Sequence, residues 1–277
     1  LVLEANAGPY YWRVRFTDAQ GGPSQWSDVS WFITSQDTVE TETVQLGDAA
    51  DADFPGTVAD TYMNVGRSTT NFSSDVRMIV YTWPAGTNAN RALIKWDLSA
   101  LPAEAVVQKA EVQLYMYDTE VSGGDDNYPI SVHRVIRRSP QVSRCTWSTY
   151  DGRNSWTGGS DGGIDDLAVA EDIQNIDKSV GYKTWNVTDM VRDWMAHPGT
   201  NYGMMFLSDQ GTAASVDSNR YFGSSENPDP AKRPKLIITE SPLSRAVIDF
   251  KETNRRIVNK LSSMERCAII PGFIASD

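Results

Sequence analysis

The sequence predicts an all-β protein: an antiparallel jelly-roll β-sandwich with one short helix, an N-terminal β-hairpin and a C-terminal tail that can form a helix. Short β-like segments recur between turn signals from residue 60 to residue 240, and helical periodicity is almost absent there. The chain has 277 residues, of which 40% are hydrophobic, so one large domain with appendages can bury a core.

Residues 1–35 have the pattern of a β-hairpin. Large apolar and charged residues alternate from Tyr10 to Phe16, a Gly-Gly-Pro turn follows, and an extended apolar pattern resumes from Trp26 to Ile33. The words Tyr-Tyr-Trp-Arg-Val-Arg, Gly-Gly-Pro-Ser-Gln-Trp-Ser and Trp-Phe-Ile-Thr resemble the last two strands of a fibronectin type III domain. A two-stranded hairpin alone is marginal in water, so we expect a partner surface on this chain or on a neighbour.

The sandwich is expected to follow an acidic linker at 36–59, which has little apolar content and room for one short strand. Between residues 60 and 240, nine segments have strand-like composition and are bounded by turn residues. These predicted strands are 60–65, 76–81, 91–97, 107–118, 130–137, 183–187, 203–208, 218–223 and 234–239.

For the clearest strand and for the only helix expected in the sandwich, the sequence predicts which residues face the core. From Val107 to Tyr117, Ala110, Val112, Leu114 and Met116 alternate with Glu111, Gln113, Tyr115 and Tyr117, which predicts one core face and one wet face. Residues 188–195 carry an apolar stripe of Met190, Val191, Trp194 and Met195, and Thr188 can cap the helix.

The tail, residues 241–277, differs in charge from the rest of the chain. It carries six basic and four acidic residues, whereas the whole chain has a net charge of −11. Apolar residues from Val247 to Met264 recur near a helical period, which predicts a basic amphipathic helix that ends before Pro271. A docking or linker segment is the simpler interpretation of this tail.

Composition excludes some functions. The negative net charge disfavours nucleic acid as a partner, and no run of about 18 apolar residues predicts a membrane span. The two cysteines, Cys145 and Cys267, have no metal-ligand spacing, and a disulfide between them is as plausible as two separate thiols. His133 and His197 have no serine or cysteine nucleophile motif nearby, so we expect no enzyme.

Residues 60–240 resemble the DNRLRE domain family, which is related to archaeal disaggregatase and grouped with carbohydrate-binding modules. The matching words are Asp60-Thr61-Tyr62, the segment from Asn90 to Pro102, Ala110 to Tyr115, Thr146-Trp147-Ser148 with Trp156, Trp185 to Val191, Asn201-Tyr202-Gly203 and Arg233 to Leu236. The resemblance implies a jelly roll that serves as an accessory domain of a secreted protein. It therefore implies an extracellular or cell-surface location.

Sugar binding calls for exposed aromatic rings and nearby polar groups. Trp147, Tyr150 and Trp156 lie in a polar stretch and are the candidate stacking residues, with the alternative that the two tryptophans plug one end of the sandwich. Since some members of the family bind acidic polysaccharides, a basic sheet face is a second candidate, formed by Arg91, Lys95, Arg134 and Arg220.

The sequence also predicts candidate sites for a structural calcium ion and for N-glycosylation. Calcium takes about six to eight oxygen ligands, and the candidate ligands are Asp161, Asp165 and Asp166, or Asp60 with Asp97. Asn71 and Asn186 begin glycosylation motifs. Asn71 is the preferred site because Asn186 lies in a predicted strand.

The most plausible function is therefore non-catalytic binding of a polysaccharide or cell-envelope glycan by a module of a secreted or surface protein. The alternative is a structural subunit of an extracellular filament or surface layer, in which residues 1–35 and 241–277 contact copies of the same chain. A third, weaker alternative is an adhesin domain with a protein ligand.

Overall fold

The computed structural model confirms an all-β fold with one α-helix. It describes residues 9–17, 22–26, 30–33, 41–83, 89–103, 105–119, 128–209, 218–241 and 268–273. The chain divides into two compact units, one formed by residues 41–240 and the other by residues 1–40 together with 241–277.

The larger unit is a curled antiparallel sheet of eleven strands. Its strands are β3 (Glu42–Leu46), β4 (Val58–Asn64), β5 (Arg77–Thr82), β6 (Ala89–Trp96), β7 (Val106–Asp118), β8 (Tyr128–Val135), β9 (Leu167–Ile176), β10 (Gly181–Asn186), β11 (Met204–Leu207), β12 (Ser218–Gly223) and β13 (Lys235–Ser241). The order along the sheet is β3-β13-β7-β12-β5-β6-β11-β8-β9, with β10 paired to β7 and β4 paired to β6.

All nine predicted strands are present within three residues of their predicted ends. Two further strands complete the sheet: β9 was not predicted, and β3 is the one short strand for which the linker had room. β9 has a mixed sequence, Leu-Ala-Val-Ala-Glu-Asp-Ile-Gln-Asn-Ile, without strict alternation, and its long antiparallel pairing with β8 stabilises it. β3 lies in the expected linker, but Val44 and Leu46 are buried and the strand pairs with β13, so residues from 41 onward belong to the sandwich.

The main core lies inside the curl, between the two halves of the sheet. Alternate residues of β7 face it, and Ala110, Val112, Leu114 and Met116 are fully buried, as their pattern predicts. Trp96, Trp185 and Trp194 are also buried there, so these three tryptophans belong to the core.

Helix α1 (Thr188–Ala196) covers one end of this core with Met190, Val191 and Trp194, as its apolar stripe predicts. The predicted cap is wrong in detail, because the Asn186 side chain accepts the Thr188 N–H at 3.0 Å while the Thr188 hydroxyl bonds to β7. Among the described residues, no helix has the length and apolar composition needed to cross a membrane.

The smaller unit contains the predicted N-terminal hairpin. β1 (Pro9–Thr17) pairs with β2 (Ser30–Ile33), and its other edge pairs with β14 (Ala268–Phe273) of the same chain. The partner of the hairpin is thus on its own chain, and β14 is extended through Pro271. The predicted tail helix, residues 247–264, lies outside the described residues.

Candidate functional site

The loop between β8 and β9 forms the candidate site. This loop, residues 136–166, covers the outer face of β6, β11 and β8, where it builds a second apolar cluster with Leu93 and Met205. Trp147 and Trp156 are the centre of this cluster, with exposed fractions of 6% and 2%. Their indole N–H groups donate to the carbonyls of Ser160 and Thr146.

Two consecutive glycines let the loop backbone lie against these rings. Gly162 and Gly163 both have left-handed backbone angles, with φ values of 64° and 78°. A Cβ atom at Gly163 would lie 2.9 Å from the Trp156 ring, and one at Gly162 would lie equally close to Trp147. Only glycine meets both requirements without strain.

Arg91 anchors the loop from β6. Its guanidinium lies 4.6 Å over the Trp147 ring, pairs with Asp209 at 2.6 Å, and donates to the carbonyls of Asp161 and Gly162. Every part of the guanidinium is therefore engaged inside the protein. Four of the five N–H groups of Arg91 are used in these contacts, so Arg91 holds the loop on the sheet.

The predicted stacking platform is therefore wrong for the two tryptophans. Trp147 and Trp156 are buried, as the alternative interpretation held, but they form an apolar plug between the loop and the outer face of the sheet and do not plug one end of the sandwich. Tyr150 is half-buried and meets Trp156 edge-on at 6.1 Å, with the Arg138 guanidinium 5.6 Å from its ring centroid.

The predicted basic sheet face does not form either. Arg91 and Arg220 are buried, with exposed fractions of 3% and 0%, and Arg220 hydrogen-bonds the carbonyls of Ile176 and Asp177. Arg134 pairs with Glu171 and Asp193. Lys95 is half-buried and reaches Ser139 at 3.5 Å. All four basic side chains therefore contact other residues of the protein and do not form a basic binding face.

The same loop nevertheless forms an open cleft of about 370 Å³ above the plug. Its lining offers hydroxyl, amide, carboxylate and guanidinium groups, which are the groups that hydrogen-bond sugar hydroxyls. The lining residues are Thr69, Asn71, Arg144, Thr146, Thr149, Asp151, Gly152 and Arg153.

Two arginines give the cleft a positive character. In the described part of the chain, neither the Arg144 nor the Arg153 guanidinium has an ion-pair or hydrogen-bond partner. Residues 136–154 contain four arginines, all exposed, and a single aspartate, in a chain of net charge −11. A locally basic surface therefore lies on an acidic protein.

Asp151 is the one carboxylate of the cleft, and its role is structural. Its oxygens accept hydrogen bonds from the backbone N–H groups of Arg153 and Asn154 and from the Asn154 amide. These bonds lower the pKa of Asp151, so the group stays ionised and shapes the turn that presents Arg153.

The proposed calcium ligands do not come together as a cage. Among the described residues, no three acidic, histidine or cysteine side chains could share a metal ion. Asp166 is buried and accepts two hydrogen bonds from Thr157, and Asp161 accepts the N–H groups of Gly163 and Asp165. Asp60 accepts from Ser225, and the exposed Asp97 accepts from Ser99.

Asn71 is a poor glycosylation site in the folded chain. Its amide nitrogen donates to the carbonyls of Val142 at 2.9 Å and Cys145 at 2.7 Å, which ties residues 68–73 to the loop. A glycan on that nitrogen would leave only one hydrogen for two acceptors. The Asn186 side chain is exposed, with its oxygen engaged by Thr188.

Cys145 is buried in the second cluster, with its thiol 3.7 Å from the Val142 carbonyl. Burial raises the pKa of this thiol to about 12, so it is an unreactive core group. Cys267 lies outside the described residues, and its pairing with Cys145 stays a prediction.

The cleft lies on the same loop as the predicted stacking residues, but other residues of the loop line it. The four arginines within residues 136–154 could have pointed to Arg144 and Arg153, but the net charge of the whole chain hides this local positive charge. The presence of both tryptophans in the family-like segments pointed to their burial.

Residues 55–160 match the model of carbohydrate-binding module family 96. The matched segment runs from β4 to the end of the tryptophan plug and contains every residue that lines the cleft. The match supports a carbohydrate-binding module, a class of domain that is generally non-catalytic. No curated protein matches the sequence.

Proposed function

We propose that this chain is a non-catalytic module that binds an acidic polysaccharide in the cleft of the 136–166 loop. The observation that carries the proposal is a pair of guanidinium groups, Arg144 and Arg153, which have no hydrogen-bond or ion-pair partner within the described part of the chain and lie in one polar cleft within the family match. Arginine pairs bidentately with carboxylate groups, and the surrounding hydroxyl groups suit sugar hydroxyls.

The overall charge of the chain does not oppose this ligand at contact range. Charges farther away than about 8 Å are screened at physiological ionic strength. Two arginines, Arg144 and Arg153, line the cleft together with one aspartate, Asp151, so positive charge prevails at contact range. Distant acidic residues slow the approach of the polymer more than they weaken the bound state.

The resemblance to DNRLRE domains and the fibronectin-like hairpin support a place for this module in a secreted or cell-surface protein with several domains. In that setting the module holds its parent protein on a glycan. Binding needs no general acid, base or nucleophile, and the cleft residues supply only hydrogen bonds and charge.

The test compares binding of hexagalacturonate, a sulfated hexasaccharide and a neutral glucan hexaose by isothermal titration. We expect the double variant Arg144→Gln with Arg153→Gln to lose about tenfold or more in affinity for an acidic ligand, which corresponds to about 1.4 kcal/mol. Affinity should also fall as NaCl rises from about 50 mM to about 500 mM.

The matched control is Lys109→Gln with Lys232→Gln, which removes two positive charges from positions that do not line the cleft. We expect less than about a twofold change for this control. Equal losses in both double variants would show that only net charge matters. Unchanged binding in the arginine variant would overturn the cleft as the site.

A further inference from the structure

A second surface on the opposite side of the sandwich presents tyrosines in an ordered array. On β7, Tyr115 and Tyr117 point away from the main core and are half-buried. Residues two apart on a strand lie about 6.7 Å apart on the same face. The two phenol rings therefore follow one another along β7, on the face turned away from the 136–166 loop.

Tyr115 is held by β10. Tyr182 is its cross-strand partner, and the two rings meet edge-to-face with centroids 5.2 Å apart. The Tyr182 hydroxyl hydrogen-bonds the carbonyls of Ala231 and Arg233, and the Lys235 ammonium lies 4.5 Å from the ring centroid. Tyr182 is thereby fixed as a support for Tyr115.

Tyr117 lies beside β12, where the pairing of β7 with β12 shifts register between Tyr221 and Phe222. Arg77 of β5 pairs with Asp75 at 3.5 Å and lies 5.6 Å from the Tyr221 ring centroid. Burial and the neighbouring carboxylates raise the pKa values of Tyr117 and Tyr182, so these phenols stay neutral donors at physiological pH.

The arrangement leaves the half-buried rings of Tyr115 and Tyr117 for a ligand. Among the described residues, neither Tyr115 nor Tyr117 has a cation over its ring, and the only ring contact is the edge contact with Tyr182. The cations near the two rings, Arg77 and Lys235, are occupied by tyrosine rings or by Asp75, and Lys109 farther along the same face of β7 pairs with Glu111 at 2.8 Å. Within the described residues, a ligand over Tyr115 and Tyr117 therefore meets aromatic rings and neutral hydroxyls, and the cations of this face are already paired.

We propose that Tyr115 and Tyr117 form a second saccharide-binding surface, which takes a neutral pyranose chain lying along β7. The C–H faces of pyranose rings stack on aromatic rings, and the phenol hydroxyls at the edges hydrogen-bond sugar hydroxyls. The choice of a saccharide over a proline-rich peptide, which also docks on tyrosines, rests on the proposed function. The two sites differ in chemistry, since the cleft binds charge and this face binds apolar sugar surface.

The experiment titrates the full chain with unsubstituted hexasaccharides of β-1,4-glucan, β-1,4-mannan and β-1,4-xylan, and separately with a proline decapeptide. The double variant Tyr115→Leu with Tyr117→Leu keeps apolar bulk on the strand and removes both rings. We expect it to lose about tenfold or more in affinity for the neutral hexasaccharide that binds best. Tyr115→Phe with Tyr117→Phe should retain affinity within about threefold.

The double variant Arg144→Gln with Arg153→Gln is the control for the other site. We expect it to bind neutral hexasaccharides like the unaltered chain and to lose hexagalacturonate, whereas the leucine variant should behave in the opposite way. The unfolding temperature of each variant shows that the strand stays folded.

Three outcomes would overturn the second surface: no neutral hexasaccharide binds, binding survives the leucine substitutions, or only the decapeptide responds to them. Failure of the cleft proposal would show instead as absent binding of acidic saccharides.

Discussion

Asp60, at the start of the family-like segment, is a buried carboxyl group whose charge is coupled to folding. It lies on β4 with an exposed fraction of 2%, and its carboxylate accepts the Ser225 N–H at 2.8 Å. Burial, and secondarily the charge of Glu226, raise the pKa of Asp60 to about 7. An ionised Asp60 is therefore disfavoured in the folded state.

The direction of the pH dependence follows from this shift. In the unfolded chain an aspartate titrates near its ordinary pKa of about 3.9, so between about pH 4 and pH 7 the folded state binds more protons. Stability from this group is complete below about pH 4 and is lost as the pH rises through about 7. We expect Asp60→Asn to raise the unfolding temperature at pH 8 and to flatten its dependence on pH between 5 and 8, measured by differential scanning fluorimetry.

Asp97 is the matched control for that measurement. It is exposed, and hydrogen bonds from Ser99 lower its pKa, so its stabilising effect is present above its unfolded pKa and is lost on acidification. We expect Asp97→Asn to lower stability at neutral pH. A rise in stability for both variants would contradict the proposed role of Asp60.

The Arg91–Asp209 ion pair is the second residue-scale feature, because it is buried and joins three parts of the chain. Removing Asp209 leaves a buried, uncompensated guanidinium, for which losses of about 3–5 kcal/mol are typical. We expect Asp209→Asn to lower the free energy of unfolding by that order in urea denaturation. The exposed Arg192–Asp189 pair provides the comparison, and Asp189→Asn should cost less than about 1 kcal/mol.

At the scale of elements, the 136–166 loop packs tightly on the sheet, since both of its tryptophans are buried and hydrogen-bonded. Packing of this kind positions the arginines of the cleft. Loops that carry binding residues are commonly supported in this way by a rigid scaffold.

Gly163 tests this packing. Its alanine variant combines a left-handed backbone with a Cβ only 2.9 Å from Trp156, whereas Gly159, also left-handed, has nothing within 4 Å of its Cβ position. We expect Gly163→Ala to cost about 2 kcal/mol or more and to weaken acidic saccharide binding, and Gly159→Ala to cost about 1 kcal/mol. Equal effects in urea denaturation would show that the contact with the tryptophan is unimportant.

The whole molecule consists of two units, and the larger one contains the main core, the second cluster, the cleft and the tyrosine surface. We expect residues 41–241 to fold on their own and to bind saccharides as the full chain does. Circular dichroism and thermal unfolding of that fragment provide the measurement. A fragment without a cooperative transition would show that the sandwich depends on the other unit.

Much of this architecture could be predicted from local patterns. The alternation of residues in β7 and the apolar stripe of α1 predict which side chains face the core, because the periods of strands and helices are local properties of the sequence. β9 escaped prediction because its sequence lacks alternation and its pairing with β8 decides its structure. A short strand was expected where β3 lies, but its place in the sandwich was not, because that place depends on pairing with distant β13.

The sequence by itself determined the β class, the strand spacing and the core faces of β7 and α1, since all three follow from periodicity, turn residues and composition. Only the tertiary structure decided which aromatic and basic residues are available to a ligand. Trp147 and Arg91 are of residue types that commonly bind sugars, yet they stack on each other beneath the loop. Availability depends on contacts between residues far apart in the chain, and no local pattern contains that information.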